Sequence, residues 1–189
     1  MQTARGTSLS GADSPSTQEP SRITHRAALV VFGGVAVCFY AIDQVTKYLA
    51  VANLEGAPDR QLIGEILQLR LTRNPGAAFS AVTSFTEVLT VIAISAVVVV
   101  LWLSRRLGSR LWAVGFGLLL AGVAGNLTDR MLRQPGPLRG HVIDFLMLPH
   151  WPIFNVADIC INGAAAIILI QAFRGVRLNG ARVRDEAEA

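Results

Sequence analysis

The residues most able to do chemistry in this chain are acids set against apolar sequence. Asp43, Glu87, Asp129 and Asp158 each bound an apolar block, and Asp144 lies inside the short apolar stretch Val142, Ile143, Phe145, Leu146. An acid at a helix end can simply face water, so no single one of these decides anything. Asp144 and Asp158 together say more. A carboxylate framed by four large apolar neighbours is poorly solvated, and Asp158 closes the run Phe154-Asn155-Val156-Ala157-Asp158 on the same side of the chain. Two carboxylates brought together in a partly dry site cannot both ionise easily, so they share a proton and titrate as a unit. One can take a proton from water while the other donates to a carbonyl oxygen, which hydrolyses an amide without a metal.

Other chemistries have weaker footing. His141 and His150 could add metal ligands, but no HExxH or comparable spacing exists, and neither metal nor cofactor is expected. Lys47 is the only lysine and falls near the same end, where Ser80 or Ser84 could reach it as a Ser-Lys pair, yet no spacing brings them together. A transporter or channel subunit with the acids as an ion path is a rival from another class. Against it, the apolar blocks carry no charge inside, only Thr90, Ser95 and glycines. A binding protein with idle aspartates is a third reading. Cys38 and Cys160 sit in apolar blocks and read as small buried hydrophobes.

The elements that must position these residues follow from patterning. Of 189 residues 52% are hydrophobic and 16% charged, against about a quarter charged in soluble domains, and the mean hydropathy is +0.46. The apolar residues form four uncharged blocks, Arg26 to Asp43, Glu87 to Arg105, Arg110 to Asp129 and Asp158 to Arg174. Each is long enough for a membrane helix once flanking turns and snorkelling arginines are added. The expected fold is therefore an all-α membrane protein, a four-transmembrane-helix bundle with a small extracytoplasmic β-containing cap. Every block has arginine at one end and an acid at the other, in alternating order. An up-down-up-down bundle gathers Arg105, Arg106, Arg110, Arg174, Arg177, Arg182 and Arg184 on one side, which the positive-inside rule makes cytoplasmic. The acids then gather at the outer face.

Two connections lie on that outer side. Leu67 to Thr72 alternates with period two and predicts a half-buried strand, and Asn74-Pro75-Gly76 marks a turn. Residues 131–152 are rich in Pro and Gly around the stretch holding Asp144. Residues 1–22 predict a disordered cytoplasmic tail, 23–174 the membrane domain and 175–189 a second cytoplasmic tail. The first block resembles a secretory signal with Ala50-Val51-Ala52 as a cleavage site, but Asp43, Gln44 and Lys47 separate that site from the apolar core, and an uncleaved first span is the better reading. The net charge of +4 does not predict nucleic-acid binding, because no groove-reading or base-stacking pattern accompanies it.

From Asp43 to Ile161 the chain resembles the lipoprotein signal peptidases (signal peptidase II), in boxes kept in order. Asp43-Gln44-Val45-Thr46-Lys47 looks like the first. Asn74-Pro75-Gly76-Ala77-Ala78-Phe79-Ser80 is similar to the Asn-x-Gly-Ala-Ala-Phe box, and Gly125-Asn126-Leu127-Thr128-Asp129-Arg130 to the Gly-Asn-x-x-Asp-Arg box. Val142-Ile143-Asp144-Phe145 and Phe154-Asn155-Val156-Ala157-Asp158 resemble the two that carry the catalytic aspartates. Ile159 departs from the pattern, since many members have serine there.

The resemblance implies Asp144 and Asp158 as a catalytic dyad, with Asn126 and Arg130 holding the substrate backbone and Asn74 orienting it. It implies that Asp43 and Lys47 brace the site, and that Asn155 orients Asp158. It leaves Asp129 as either a third acid or, preferably, the ionic partner of Arg130. Gly76 and Ala78 fit where a backbone passes closely, although a simple turn glycine reads equally well at Gly76, and Phe79 belongs to the same supporting box. The implied reaction is cleavage before the lipid-modified cysteine of a diacylglyceryl-modified prolipoprotein, at the outer face of the plasma membrane. The implied enzyme is a monomer in contact with membrane lipid, both termini cytoplasmic.

Overall fold

The structure is a computed structural model that describes residues 23–76 and 84–182. The expected tail over 1–22, the box residues Ala77, Ala78, Phe79 and Ser80, and residues 183–189 lie outside the described residues.

Four helices are long and apolar enough to cross a membrane. They are α1 (His25–Leu54), α2 (Ser84–Ser104), α3 (Arg110–Leu132) and α4 (Val156–Phe173). Only helices can satisfy their own backbone polar groups in hydrocarbon, so apolar runs of this length take that form. Their outward faces carry large apolar side chains such as Val37, Val98 and Phe173, exposed to what would be lipid. The helix α3 is the axis of the bundle: α1 and α4 pack closely on it, and α2 packs on it less extensively. Glycines on α3 permit that approach. A Cβ at Gly122 would stand 2.4 Å from the Ala157 carbonyl of α4, and one at Gly125 would stand 2.4 Å from Oδ2 of Asp43 on α1. Small residues at helix contacts serve close packing in membranes generally.

One end of the bundle collects the arginine-rich segments. The Ile23 amide donates to the Gly108 carbonyl at 3.0 Å, and the Gly108 amide donates to Leu178 at 2.9 Å. Trp112 Nε1 donates to the Val176 carbonyl at 2.9 Å. The segment leading into α1, the α2–α3 connection and the segment after α4 therefore meet, as the alternating pattern predicts. Residues 175–182, expected as part of a tail, instead fold into a turn that buries Val176 and Ala181.

The other end carries a cap. It is an antiparallel sheet in the order β1 (Arg60–Ile63), β2 (Leu67–Asn74), β3 (Val142–Met147). The expected strand is β2, and its partners β1 and β3 were not read from the sequence. The sheet leans on the end of α1 through Ala50, Leu54, Ile143 and Phe145.

The largest departure from expectation is α1. Its apolar block stops at Asp43, but the helix runs 30 residues to Leu54, so Asp43 and Lys47 lie within it and are fully buried. Charges that look like the end of a span are interior positions, because α3 supplies Asp129 and Asn126 to Lys47, while Lys47 and the Ala157 amide of α4 partner Asp43. Cys38 also differs, being exposed on α1, whereas Cys160 is buried as expected.

Candidate active site

Asp158 is placed by the start of α4. Asn155 caps that helix: its side chain accepts from the Asp158 amide at 3.1 Å, and its own amide donates to Asp158 Oδ2 at 3.0 Å. This reciprocal capping satisfies two of the otherwise orphaned helix N–H groups and fixes the Asp158 rotamer. Asn126 Nδ2 of α3 donates to Asp158 Oδ1 at 3.0 Å.

Asp144 arrives from β3. Beyond that strand the chain turns back, and the Phe154 amide donates to Leu146 at 2.9 Å, which brings Asn155 beside Asp144. Asn155 Nδ2 donates to Asp144 Oδ1 at 2.6 Å, so one amide side chain touches both aspartates. From the other side Asn74, opposite Val142 in the β2–β3 register, donates from Nδ2 to Asp144 Oδ2 at 2.8 Å. Diagonal neighbours on one sheet face are within reach of such side chains. Burial pushes the Asp144 carboxyl up from 3.8 to about 6; the Asn74 bond opposes this, the Asp158 charge adds to it, and Asn155 and Lys47 oppose it. Both aspartates line one cleft of about 570 Å³, together with Asn74, Trp151, Ile153, Ile159 and Asn162.

Behind the pair lies a different kind of site. Lys47 Nζ is 2.9 Å from Asp43 Oδ2, 2.8 Å from Asp129 Oδ2 and 2.9 Å from Asn126 Oδ1. An ammonium has three protons, and here each has an acceptor. Lys47 is thus committed to Asp43, Asp129 and Asn126, while Ser80 and the Ser84 side chain, the serines of the Ser-Lys alternative, lie outside the described residues. Asp43 Oδ1 also accepts from the Ala157 amide at 2.9 Å, pinning α1 to the first turn of α4. Asp129 Oδ2 accepts from the Ile143 amide at 3.2 Å, pinning α3 to the strand residue before Asp144.

The expected pairing of Asp129 with Arg130 is not what the structure holds. Asp129 pairs with Lys47 and with Arg133 one turn on. Consecutive helix residues point about 100° apart, so Asp129 and Arg130 cannot easily face one group. Arg130 makes no ion pair within the described residues, its Nε is buried without a partner, and the charges acting on it are those of Asp144, Asp158 and Asp129. Asn126 is also more committed than expected. Its carbonyl oxygen accepts from Lys47 and from Asn155, and one N–H goes to Asp158. Gly76 adopts φ +117°, and its amide donates to Asn74 Oδ1 at 2.8 Å, closing a tight turn that suits glycine.

Sequence reasoning gave no role to Arg133 or to the close approach at Gly125. The glycine lay within a motif box, but only the fold shows that a side chain there would strike Asp43. Among the described residues, no group of three His, Cys, Asp or Glu side chains assembles as a metal site.

The profile of the family described as signal peptidase (SPase) II matches residues 35–174. The lipoprotein signal peptidase of Mycobacterium avium is 43% identical over 178 residues, covering 94% of each chain. That of Rhodococcus jostii is 44% identical over 171 residues, 90% of this chain and 86% of its own. That of Leifsonia xyli is 44% identical over 160 residues, 84% and 74% respectively. A solved bacterial membrane enzyme, obtained by the in meso method at 1.9 Å resolution, shares the fold with a TM-score of 0.68 at 24% identity, covering 82% of this chain and 97% of that one.

Proposed function

The chain belongs to the signal peptidase II family, and on that premise we propose how its cleft works. It is a multi-pass membrane peptidase of aspartic type that removes signal peptides from prolipoproteins. The residue roles below are our reading.

Asp144 and Asp158 are the catalytic pair. The observation that carries this is their mode of support: among the described residues, amide groups hold both, and neither has a cation within ion-pair distance. Such carboxylates stay free to exchange protons. Burial favours the neutral carboxyl at Asp144, so the shared proton rests there. Asp158 then takes a proton from water as that water attacks the scissile carbonyl. Asp144 donates to the carbonyl oxygen, giving a gem-diol; the C–N bond then breaks as Asp158 passes its proton to the leaving nitrogen and Asp144 takes back a hydroxyl proton, which restores the pair. Around the pair four carboxylates (Asp43, Asp129, Asp144, Asp158) meet three cations (Lys47, Arg130, Arg133), and one shared proton balances that set.

Arg130 is the group that engages the substrate backbone, since among the described residues its guanidinium has no ion partner. Asn74, Asn126 and Asn155 orient the aspartates. Asp43, Lys47 and Asp129 brace the helices, and Gly76 shapes the Asn74 turn; Ala78 and Phe79 complete that box as supporting residues.

The arginine end faces the cytoplasm and the cap faces outward. Supporting this, three arginines of the cap, Arg70, Arg73 and Arg139, have acid partners in Asp59, Glu55 and Glu87. No acid lies among the described residues of the arginine end. Ile159, Asn162 and Gly163 continue the cleft down α4, a lateral route for a signal helix and for the diacylglyceryl chains on the cysteine. The protein acts as a monomer.

The test is cleavage of a purified prolipoprotein with and without its diacylglyceryl group. Cleavage of the lipidated form alone, unaffected by chelator, is expected. Equal cleavage of both forms would remove the lipid from the specificity.

A further inference from the structure

Hydroxyl groups in membrane helices usually return to a carbonyl one turn back. Thr46 does so to Ile42 at 2.8 Å, Ser95 to Val91 at 2.9 Å and Thr128 to Ala124 at 2.8 Å. Thr86 does not. It stands in the first turn of α2, which begins at Ser84. Its buried hydroxyl leaves the helix and donates to the Pro75 carbonyl at 2.6 Å. Thr90, one turn on and fully buried, has its hydroxyl 2.8 Å from its own helix at Thr86 and 2.8 Å from the Leu138 carbonyl. Two buried hydroxyls facing cap loops are conspicuous on the least embedded of the four spans.

The carbonyl that Thr86 holds lies within the Asn74 turn. Asn74 Oδ1 accepts from the Gly76 amide at 2.8 Å, and Nδ2 reaches Asp144 Oδ2 at 2.8 Å. The direction of the Asn74 amide, and so its aim at Asp144, depends on where that turn sits. Leu89, between the two threonines on α2, packs so near Gly76 that a Cβ there would come within 2.9 Å of it. Glu87 pairs with Arg139 beside the Leu138 contact.

We propose that Thr86 is a positioning residue for the hydrolysis: by holding the Pro75 carbonyl it fixes the Asn74 turn and aims Asn74 at the Asp144 carboxylate. Thr90 steadies the Leu138 loop, which leads into β3. The proposal rests on the dyad reading above. Its distinguishing consequence is electrostatic. The Asn74 bond lowers the Asp144 pKa, so loosening it lets that value climb above about 6. The charged groups acting on Asp144, namely Asp158 on α4, Lys47 on α1 and Arg130 on α3, are untouched by a change at Thr86.

The experiment compares Thr86→Val and Thr86→Ser in the full-length protein in detergent with a lipidated prolipoprotein, across pH. For Thr86→Val we expect kcat to fall about tenfold, equivalent to about 1.4 kcal/mol, with KM within about twofold. The ionisation seen in kcat/KM should move up by about half a unit or more. Thr86→Ser, which keeps the hydroxyl, should restore both. In an Asn74→Ala background Thr86→Val should change neither kcat nor the profile further, because the effect passes through Asn74. An unmoved pH profile in Thr86→Val, or an equal added loss in the Asn74→Ala background, would overturn the proposal. The profile's position does not depend on how much protein folds, so partial misfolding does not mask the answer. Asp144→Asn is run alongside. Retained turnover there would sink the dyad reading itself, whereas failure of Thr86 alone leaves the dyad standing.

Discussion

Two pairs of aspartates lie within one small volume of this protein, and they are held in opposite ways. Asp43 and Asp129 share Lys47, and Asp129 adds Arg133. Asp144 and Asp158 are held by the amides of Asn74, Asn155 and Asn126 and by a helix N-terminus, in a cleft open to the outside. A buried carboxylate paired with a cation fastens helices together, and removing either partner leaves an uncompensated charge. A buried carboxylate with neutral donors keeps its geometry while its proton remains negotiable. The contrast separates structure from chemistry better than burial does, since Asp43, Asp129 and Asp144 are all nearly inaccessible.

The contrast predicts opposite phenotypes. The largest effect belongs to the dyad: Asp144→Asn and Asp158→Asn should each lower turnover by about three orders of magnitude or more, in the upper range for lost acid–base groups. Both variants should still fold, although each new amide can accept only one of the two hydrogen bonds its aspartate takes. Next, Lys47→Met should lower stability by about 3–5 kcal/mol, because two buried carboxylates lose their common cation. It should appear as a large fall in melting temperature and in yield.

A third consequence concerns pH. Asp144 rises from 3.8 to about 6 on folding, so its folded form favours the proton. The stability from this group is complete below pH 3.8 and lost as pH rises through 6, a change of about 3 kcal/mol. Melting curves between pH 4 and 7 should show this loss in the wild type and lack it in Asp144→Asn; parallel curves would contradict it. The smallest effect is at Arg133→Gln, about 1 kcal/mol, because that guanidinium is partly exposed and Asp129 keeps Lys47 and the Ile143 amide. A loss as large as that of Lys47→Met would mean Arg133 is the main brace.

Much of this was legible in the chain before folding. Four apolar blocks became four helices, and Asp144 was marked by its apolar frame. The alternation in Leu67 to Thr72 became a strand. The rest needed the third dimension. α1 was read short because a charge inside a helix and a charge at its end look alike until a partner helix is in place. β3 was missed because Val142 to Phe145 are all buried, and an apolar run without alternation has no strand period. β1 is exposed along its length and has no pattern at all. Asp129 was assigned to its chain neighbour Arg130, although it pairs with Lys47, 82 positions away, and with Arg133 one turn on.

The central claim is that Asp144 and Asp158 do the chemistry while Asp43, Lys47 and Asp129 hold the frame. The direct measurement is single-turnover cleavage of a lipidated prolipoprotein by Asp158→Asn, with its melting temperature taken on the same preparation. A stable, folded variant that forms no product over many wild-type half-times is the predicted result. Product formed at more than about a tenth of the wild-type rate by that folded variant would contradict the account.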